Sequence, residues 1–93
     1  MKSIIQTDTG VCFFCQGRPT ETHHVIGGAH INRVYCDEDG LVIRICRACH
    51  DKLHNGPGSA VLTRKLRQLG QEKYEARIGT RADFMKRYGK NWL

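Results

Sequence analysis

Two Cys-x-x-Cys pairs, Cys12/Cys15 and Cys46/Cys49, constrain this chain more than any other feature. Each pair stands at a predicted turn or at a change from strand to helix, where two thiolates can point at one ion. Four thiolates make the closed tetrahedral site that Zn²⁺ prefers. A chain of 93 residues buries only one small core, and a structural metal commonly stabilises such a core. The sequence therefore predicts a structural Zn²⁺ site, with the fifth cysteine, Cys36, outside it.

Other interpretations of the cysteines explain less. Redox dithiols or buried free cysteines would have to arise twice by chance. The segment Cys46–His50 also matches the C-x-x-C-H pattern of covalent haem attachment, but haem leaves the first cysteine pair without a purpose. Residues 1–8 contain no apolar run as long as that of a signal peptide or a membrane span. We therefore expect a protein of the reducing cytoplasm with no membrane partner.

The histidines form a second group of metal-binding side chains. His50 and His54 are four residues apart in a predicted helix, so they lie on one face and can bind one ion. His23 and His24 are neighbours in a predicted strand and point to opposite faces, so both cannot easily bind the same ion. We expect His23, His50 and His54 to hold a divalent ion with open positions, and His24 to act as a general base near neutral pH. The alternative is that these histidines are packing or surface residues.

The positive charge lies in the last third of the chain. Residues 1–58 contain six basic and six acidic residues, whereas residues 59–93 contain nine basic and three acidic ones. A basic segment beside a metal site suggests a nucleic-acid partner, although a solvated helix face explains the charge excess equally well. The candidate phosphate- and nucleic-acid-binding residues are Arg33, Arg44, Arg64, Lys65 and Arg67.

The residue pattern predicts a single small α+β domain over residues 1–93. Its core spans about 10–56, and a basic helical extension follows at about 59–93. Two strands are expected, at about 20–26 and at Leu41–Ile45, because both segments are rich in β-branched residues. Between them, residues 29–40 have mixed polarity and end in a turn.

Three helices are predicted in the second half of the chain. The first runs from Arg47 to about Asn55, where Gly56-Pro57-Gly58 ends it. Ser59 is expected to cap the second helix, and a capping box at 80–83 opens the last one, which ends near Tyr88. The apolar stripe predicted for the second helix consists of Leu62, Leu66, Leu69, Tyr74 and Ile78.

Together these motifs resemble the HNH (ββα-metal) endonuclease family, in particular its small phage or prophage members with a four-cysteine structural zinc. The similarity runs through Glu21–Gly28, Leu41–Ile45 and Cys46–His54, and more loosely through the tail Phe84–Leu93. The resemblance implies a core in which one strand brings the base, a second strand returns, and a helix supplies ligands to one ion. On this resemblance the base is His24, and the ligands of the catalytic ion are His23, His50 and His54.

One position departs from the family pattern. Asp39-Gly40 stands before the second strand, where the family has its central asparagine. Asn32, expected in the preceding loop, is the nearest candidate to steady the loop that carries the base. It is therefore retained as a candidate catalytic residue beside His24.

The resemblance implies a metal-dependent endonuclease that hydrolyses phosphodiester bonds in DNA with Mg²⁺ or Mn²⁺. Three imidazoles would also accept Zn²⁺ or Ni²⁺. A homodimer or a phage DNA-processing machine would be a natural setting, in the host cytoplasm if the protein is phage-encoded. Two alternatives stay open: a non-catalytic, zinc-stabilised nucleic-acid-binding module, and a nuclease that uses the same site on RNA.

Overall fold

A two-stranded antiparallel sheet and four helices make up the computed structural model, which describes residues 2–93. This architecture confirms the predicted small α+β class. In chain order the elements are β1 (Glu21–His24), α1 (Ile31–Asp39), β2 (Val42–Ile45), α2 (Arg47–Asn55), α3 (Ser59–Arg77) and α4 (Arg81–Tyr88).

The two strands pair with Glu21 opposite Ile45 and His24 opposite Val42. Backbone hydrogen bonds continue past both ends of β1: the N–H of Thr20 donates to the carbonyl of Ile45 (3.1 Å) and that of Val25 to Leu41 (3.0 Å). The regular strand is therefore shorter than the predicted 20–26, although the pairing covers most of that range. The apolar side chains of β2 are buried, so the sheet is held against the core by the second strand.

Residues 31–39 form a helix, where the sequence predicted an irregular stretch ending in a turn. Asn32 and Cys36 lie one turn apart on its inner face and are buried. Ile31 and Val34 are exposed on its outer side, which hides the helical pattern because the apolar residues are not confined to the buried face. Gly40 ends the helix in a left-handed conformation (φ 76°). Asn32 thus lies in the first turn of a helix and not in a loop.

The long helix α3 departs from the predictions at both ends. Gly58, with φ 75°, is its N-cap, so Ser59 is the first residue of the helix and not its cap. The predicted apolar stripe includes Ile78, but that side chain is 45% exposed because the helix has already ended at Arg77. A Cβ atom on Gly70 would lie 3.0 Å from Cγ1 of Val25, so glycine here allows α3 to approach the residues that follow β1.

Helix α4 begins with the capping box predicted from the sequence. The N–H of Asp83 donates to Oγ1 of Thr80 (3.1 Å), and the N–H of Thr80 donates to Oδ2 of Asp83 (2.9 Å). Near its end, Arg87 Nε and Tyr88 OH each donate to Oδ2 of Asp39 at 2.7 Å. These bonds join α4 to the end of α1. No helix among residues 2–93 has the length and apolar character needed to cross a membrane.

Candidate metal centre

Three imidazoles meet where β1 faces α2. His23 lies on β1, and His50 and His54 lie one turn apart on α2. One ring nitrogen from each histidine lies within 4.8 Å of the others. The ring centroids of His50 and His54 are 4.7 Å apart, and that of His23 is 5.5 Å from His50. These residues fit a single divalent ion, since imidazole nitrogens bind zinc at about 2.0–2.1 Å.

The electrostatics of this group favour neutral imidazole at His23. Burial of the ring, followed by the nearby charges of His50 and His54, lowers the pKa of His23 to about 4. The ring therefore stays unprotonated at neutral pH, the state in which imidazole can bind a metal.

Glu21 is a member of the site that the sequence analysis did not identify. Its Oε1 accepts a hydrogen bond from Nδ1 of His50. This bond, more than any other contact, lowers the pKa of the Glu21 carboxyl below its ordinary value. With the proton on Nδ1, His50 keeps Nε2 free for a metal, as in carboxylate–histidine–metal arrangements. The available signal was the Glu-x-His spacing on β1, because residues two apart in a strand share a face.

His24 has a different partner from the three clustered histidines. Its Nε2 lies 2.9 Å from Oδ1 of Asp37, on α1. Asp37 was missed because its segment was expected to be irregular, and only the helix brings its carboxylate to β1. His24 nevertheless lines the same cavity as His23, His50 and His54, a space of about 560 Å³.

Asn32 contacts the loop that follows β1. Its Nδ2 donates to the carbonyl of Gly27 (2.8 Å), and the side chain is buried. It does not line the cavity. Its position therefore suits a residue that supports the loop after the histidine pair more than one that contacts a substrate.

The four paired cysteines form a second cluster. One sulfur from each lies within 4.8 Å of the others, and the Cys15 and Cys46 sulfurs are 3.7 Å apart. In a tetrahedral thiolate site with Zn–S of about 2.3 Å, sulfurs stand about 3.8 Å apart. The four thiols of Cys12, Cys15, Cys46 and Cys49 can thus bind a structural metal such as zinc. Cys36 lies elsewhere, buried against the carbonyl of Ile26.

Within the cysteine cluster, the pKa of the Cys12 thiol is lower than that of an ordinary thiol. Burial by itself raises the pKa of the Cys12 thiol. Hydrogen bonds, first from the backbone N–H of Cys15 and then from that of Cys46, together outweigh burial and lower the pKa to about 6. Burial and then the neighbouring thiols raise the pKa of Cys49 to about 12. Of these two thiols, Cys12 is therefore the one that more readily becomes the thiolate that a metal ligand requires.

Only two of the five candidate basic residues reach the histidine cavity. Arg33 and Arg67 line it. Arg44 is on the sheet, where its Nη1 donates to Oγ1 of Thr22 (2.9 Å). Arg64 and Lys65 are exposed on α3 outside the cavity.

Comparison of the chain with models of known families, with curated proteins and with solved structures finds no match.

Proposed function

We propose that this protein is a metal-dependent endonuclease of the HNH type that hydrolyses phosphodiester bonds in DNA. The observation that carries the proposal is the division of roles at residues 23 and 24. His23 joins His50 and His54 in a group whose ring nitrogens lie within 4.8 Å of one another. His24 lines the same cavity, but its Nε2 is paired with Asp37. One histidine of the pair thus suits a ligand and the other a base.

A divalent ion bound by His23, His50 and His54 would supply Lewis-acid stabilisation of the charge that develops on the phosphodiester. Glu21 orients His50 for that task through the bond to Nδ1. The four cysteines are assigned to a structural Zn²⁺. Because Cys46 is the N-cap of α2, the cysteine cluster also fixes the start of the helix that carries His50 and His54.

The proposed base acts through its second ring nitrogen. Asp37 accepts the Nε2 proton of His24, which leaves the lone pair on Nδ1 free to take a proton from a water molecule. The water oxygen attacks phosphorus, the bond from phosphorus to the leaving oxygen breaks, and a proton from solvent completes the leaving hydroxyl. The imidazolium then returns its proton to solvent.

The proposed substrate is DNA, because the segment after residue 58 is basic and contributes Arg67 to the cavity wall. Among residues 2–93, net positive charge is concentrated after residue 58, and the exposed Arg64 and Lys65 belong to this segment. Contacts of this kind neutralise backbone phosphates and make affinity fall steeply with salt.

The test compares cleavage of a supercoiled plasmid by the wild type and by His24→Ala, with Mg²⁺, Mn²⁺ or EDTA. Loss of a general base should lower the rate by about 10²–10⁴-fold while metal binding persists. His30→Ala is the matched control, since His30 is an exposed histidine of the same cavity wall with no side-chain hydrogen bond to another described residue.

Three results would contradict the proposal in whole or in part. Cleavage by His24→Ala at the wild-type rate would remove His24 from the mechanism. Salt-sensitive DNA binding without cleavage under any ion would instead favour a non-catalytic zinc module. Cleavage of RNA and not of DNA would keep the site and correct the substrate.

A further inference from the structure

Arg67 lies in the wall of the histidine cavity and has no acidic partner among residues 2–93. It lines the cavity together with His23, His50 and His54. None of the ion pairs formed among residues 2–93 includes it. Its Nε is buried and makes no hydrogen bond. A half-buried guanidinium that lacks an acidic neighbour is costly unless an anion completes it.

The position of the guanidinium is set from two sides. Its central carbon lies 4.5 Å from the centre of the Trp92 ring, within the range of a cation–π contact. On the other side, a Cβ atom on Gly27 would lie 3.3 Å from Nη2 of Arg67. The loop after β1 and the C-terminal tail therefore confine Arg67 between them.

Trp92 is itself anchored by the glutamines of α3. Its backbone N–H donates to Oε1 of Gln71 (2.7 Å), and Nε2 of Gln68 donates to its carbonyl (3.1 Å). Gln71 is fully buried and also donates to Oδ1 of Asn91 (2.7 Å). These hydrogen bonds hold the C-terminal tail, with Asn91 and Trp92, beside Arg67.

The charges around Arg67 identify the kind of ligand that fits. The cavity wall contains Arg33 and Arg67 as well as five histidines. A divalent ion on the histidines would add two more positive charges, and like charges in a partly buried space repel strongly. An anion bound between the ion and the guanidinium would relieve this repulsion. Guanidinium donors match phosphate oxygens in geometry as well as in charge.

We propose that Arg67 binds a non-bridging oxygen of the phosphodiester that is cut, and that Trp92 is the positioning residue for Arg67. The inference rests on the proposed nuclease function, which it deepens by assigning the phosphate-binding group. Arg33 also lines the cavity but is exposed, so the confined side chain of Arg67 is the better preorganised of the two arginines.

Trp92 is the only tryptophan of the chain and therefore reports on Arg67 directly. Inorganic phosphate, added in Mg²⁺ buffer at constant ionic strength against chloride, should change its fluorescence in a saturable way. Arg67→Ala should abolish the change. Arg77→Ala, which removes the same charge from an exposed position of the same helix, should keep it. No response in the wild type, or an equal response in Arg67→Ala, would overturn the inference.

Cleavage kinetics give the second readout. Arg67→Ala should lower kcat by about 10²–10³-fold, the loss typical of removing one preorganised donor, with a much smaller change in KM. Arg67→Lys should recover part of the rate. Trp92→Ala should lower kcat in the same direction, whereas Trp92→Phe, which keeps an aromatic face, should restore most of it. Circular dichroism and zinc content identify any variant that fails to fold.

The two readouts separate failure of the inference from failure of the nuclease proposal. A phosphate response that depends on Arg67, in a protein that cuts no DNA, would support the anion site and reject the nuclease. DNA cleavage that is unaffected by Arg67→Ala would support the nuclease and reject the role of Arg67.

Discussion

Two carboxylates give the histidines of the cavity different properties. Glu21 holds His50 through Nδ1, which leaves Nε2 as the ring nitrogen available to a metal. Asp37 holds His24 through Nε2. Because a histidine that donates from one nitrogen can accept or bind a metal only through the other, the position of each carboxylate decides what its histidine can do. Identical side chains thus have different ring nitrogens available, because their hydrogen-bond partners differ.

Glu21→Gln should weaken metal binding at the histidine group. Glutamine can still accept from His50, but the negative charge that makes the imidazole a stronger ligand is lost, and such changes typically cost about 10–100-fold in affinity. Calorimetric titration of Co²⁺ into protein already loaded with zinc measures the effect. Glu72→Gln, an exposed position on α3, makes the same change of charge away from the site. An equal loss of affinity in both variants would show that only net charge matters.

Helix α2 links the two clusters within a few residues. Cys46 stands at its N-cap and Cys49 in its first turn, and His50 and His54 follow on the face toward β1. Helical periodicity then fixes the direction of the histidines relative to the cysteines.

Helix α4 has a different structural role. Its capping box and its bonds to Asp39 secure the C-terminal part of the chain against α1.

Thr80→Ala should lower the free energy of unfolding by about 0.5–2 kcal/mol, because the N–H of Asp83 loses its acceptor at the start of α4. Urea unfolding of the zinc-loaded protein measures this loss. Thr80→Ser keeps a hydroxyl and should stay within a few tenths of a kcal/mol of the wild type. Equal stability of Thr80→Ala and the wild type would mean that this capping bond is not significant in solution.

At the scale of the whole molecule, we expect the stability of the fold to depend on its cysteine cluster. The sheet has only two short strands, and an isolated two-stranded sheet is marginally stable in water. The cysteine cluster joins the N-terminal segment, through Cys12 and Cys15, to the junction of β2 and α2. Small domains of this kind gain much of their folding free energy from the metal.

The purified protein should contain two classes of metal ion. EDTA should remove the ion of the histidine group while the far-ultraviolet circular dichroism stays unchanged. Removal of the structural zinc should abolish the folded spectrum, because the thiolates then repel one another and the link between the segments is lost. Elemental analysis together with circular dichroism checks both statements.

Cysteine variants provide the controls for the structural zinc. Cys49→Ser should lose this ion and the folded state together. Cys36→Ala should keep it, since Cys36 is a core side chain outside the cluster. Retention of zinc by Cys49→Ser would contradict the assignment of the cluster.

The elements that the sequence predicted well are those with strong local signals. The β-branched run before Cys46 marks β2, Gly56-Pro57 ends α2, and Thr80 with Asp83 opens α4. Helix α1 was missed because Asn32 and Cys36, its buried residues, are not strongly apolar. Ser59 was expected to be a cap, but Gly58 adopts the backbone conformation that begins α3.

The sequence by itself determined the ligand types and their local spacing: paired thiols at two turns, two imidazoles one helical turn apart, and two histidines on opposite faces of a strand. These features depend on the period of a helix or a strand, which short segments carry within themselves. Only the tertiary structure decided which carboxylate reaches which histidine, and which arginines line the cavity. Glu21 and Asp37 contact histidines of other elements, and Arg67 shares the cavity wall with residues of other elements. These contacts depend on how the elements pack, and local sequence patterns do not encode that packing.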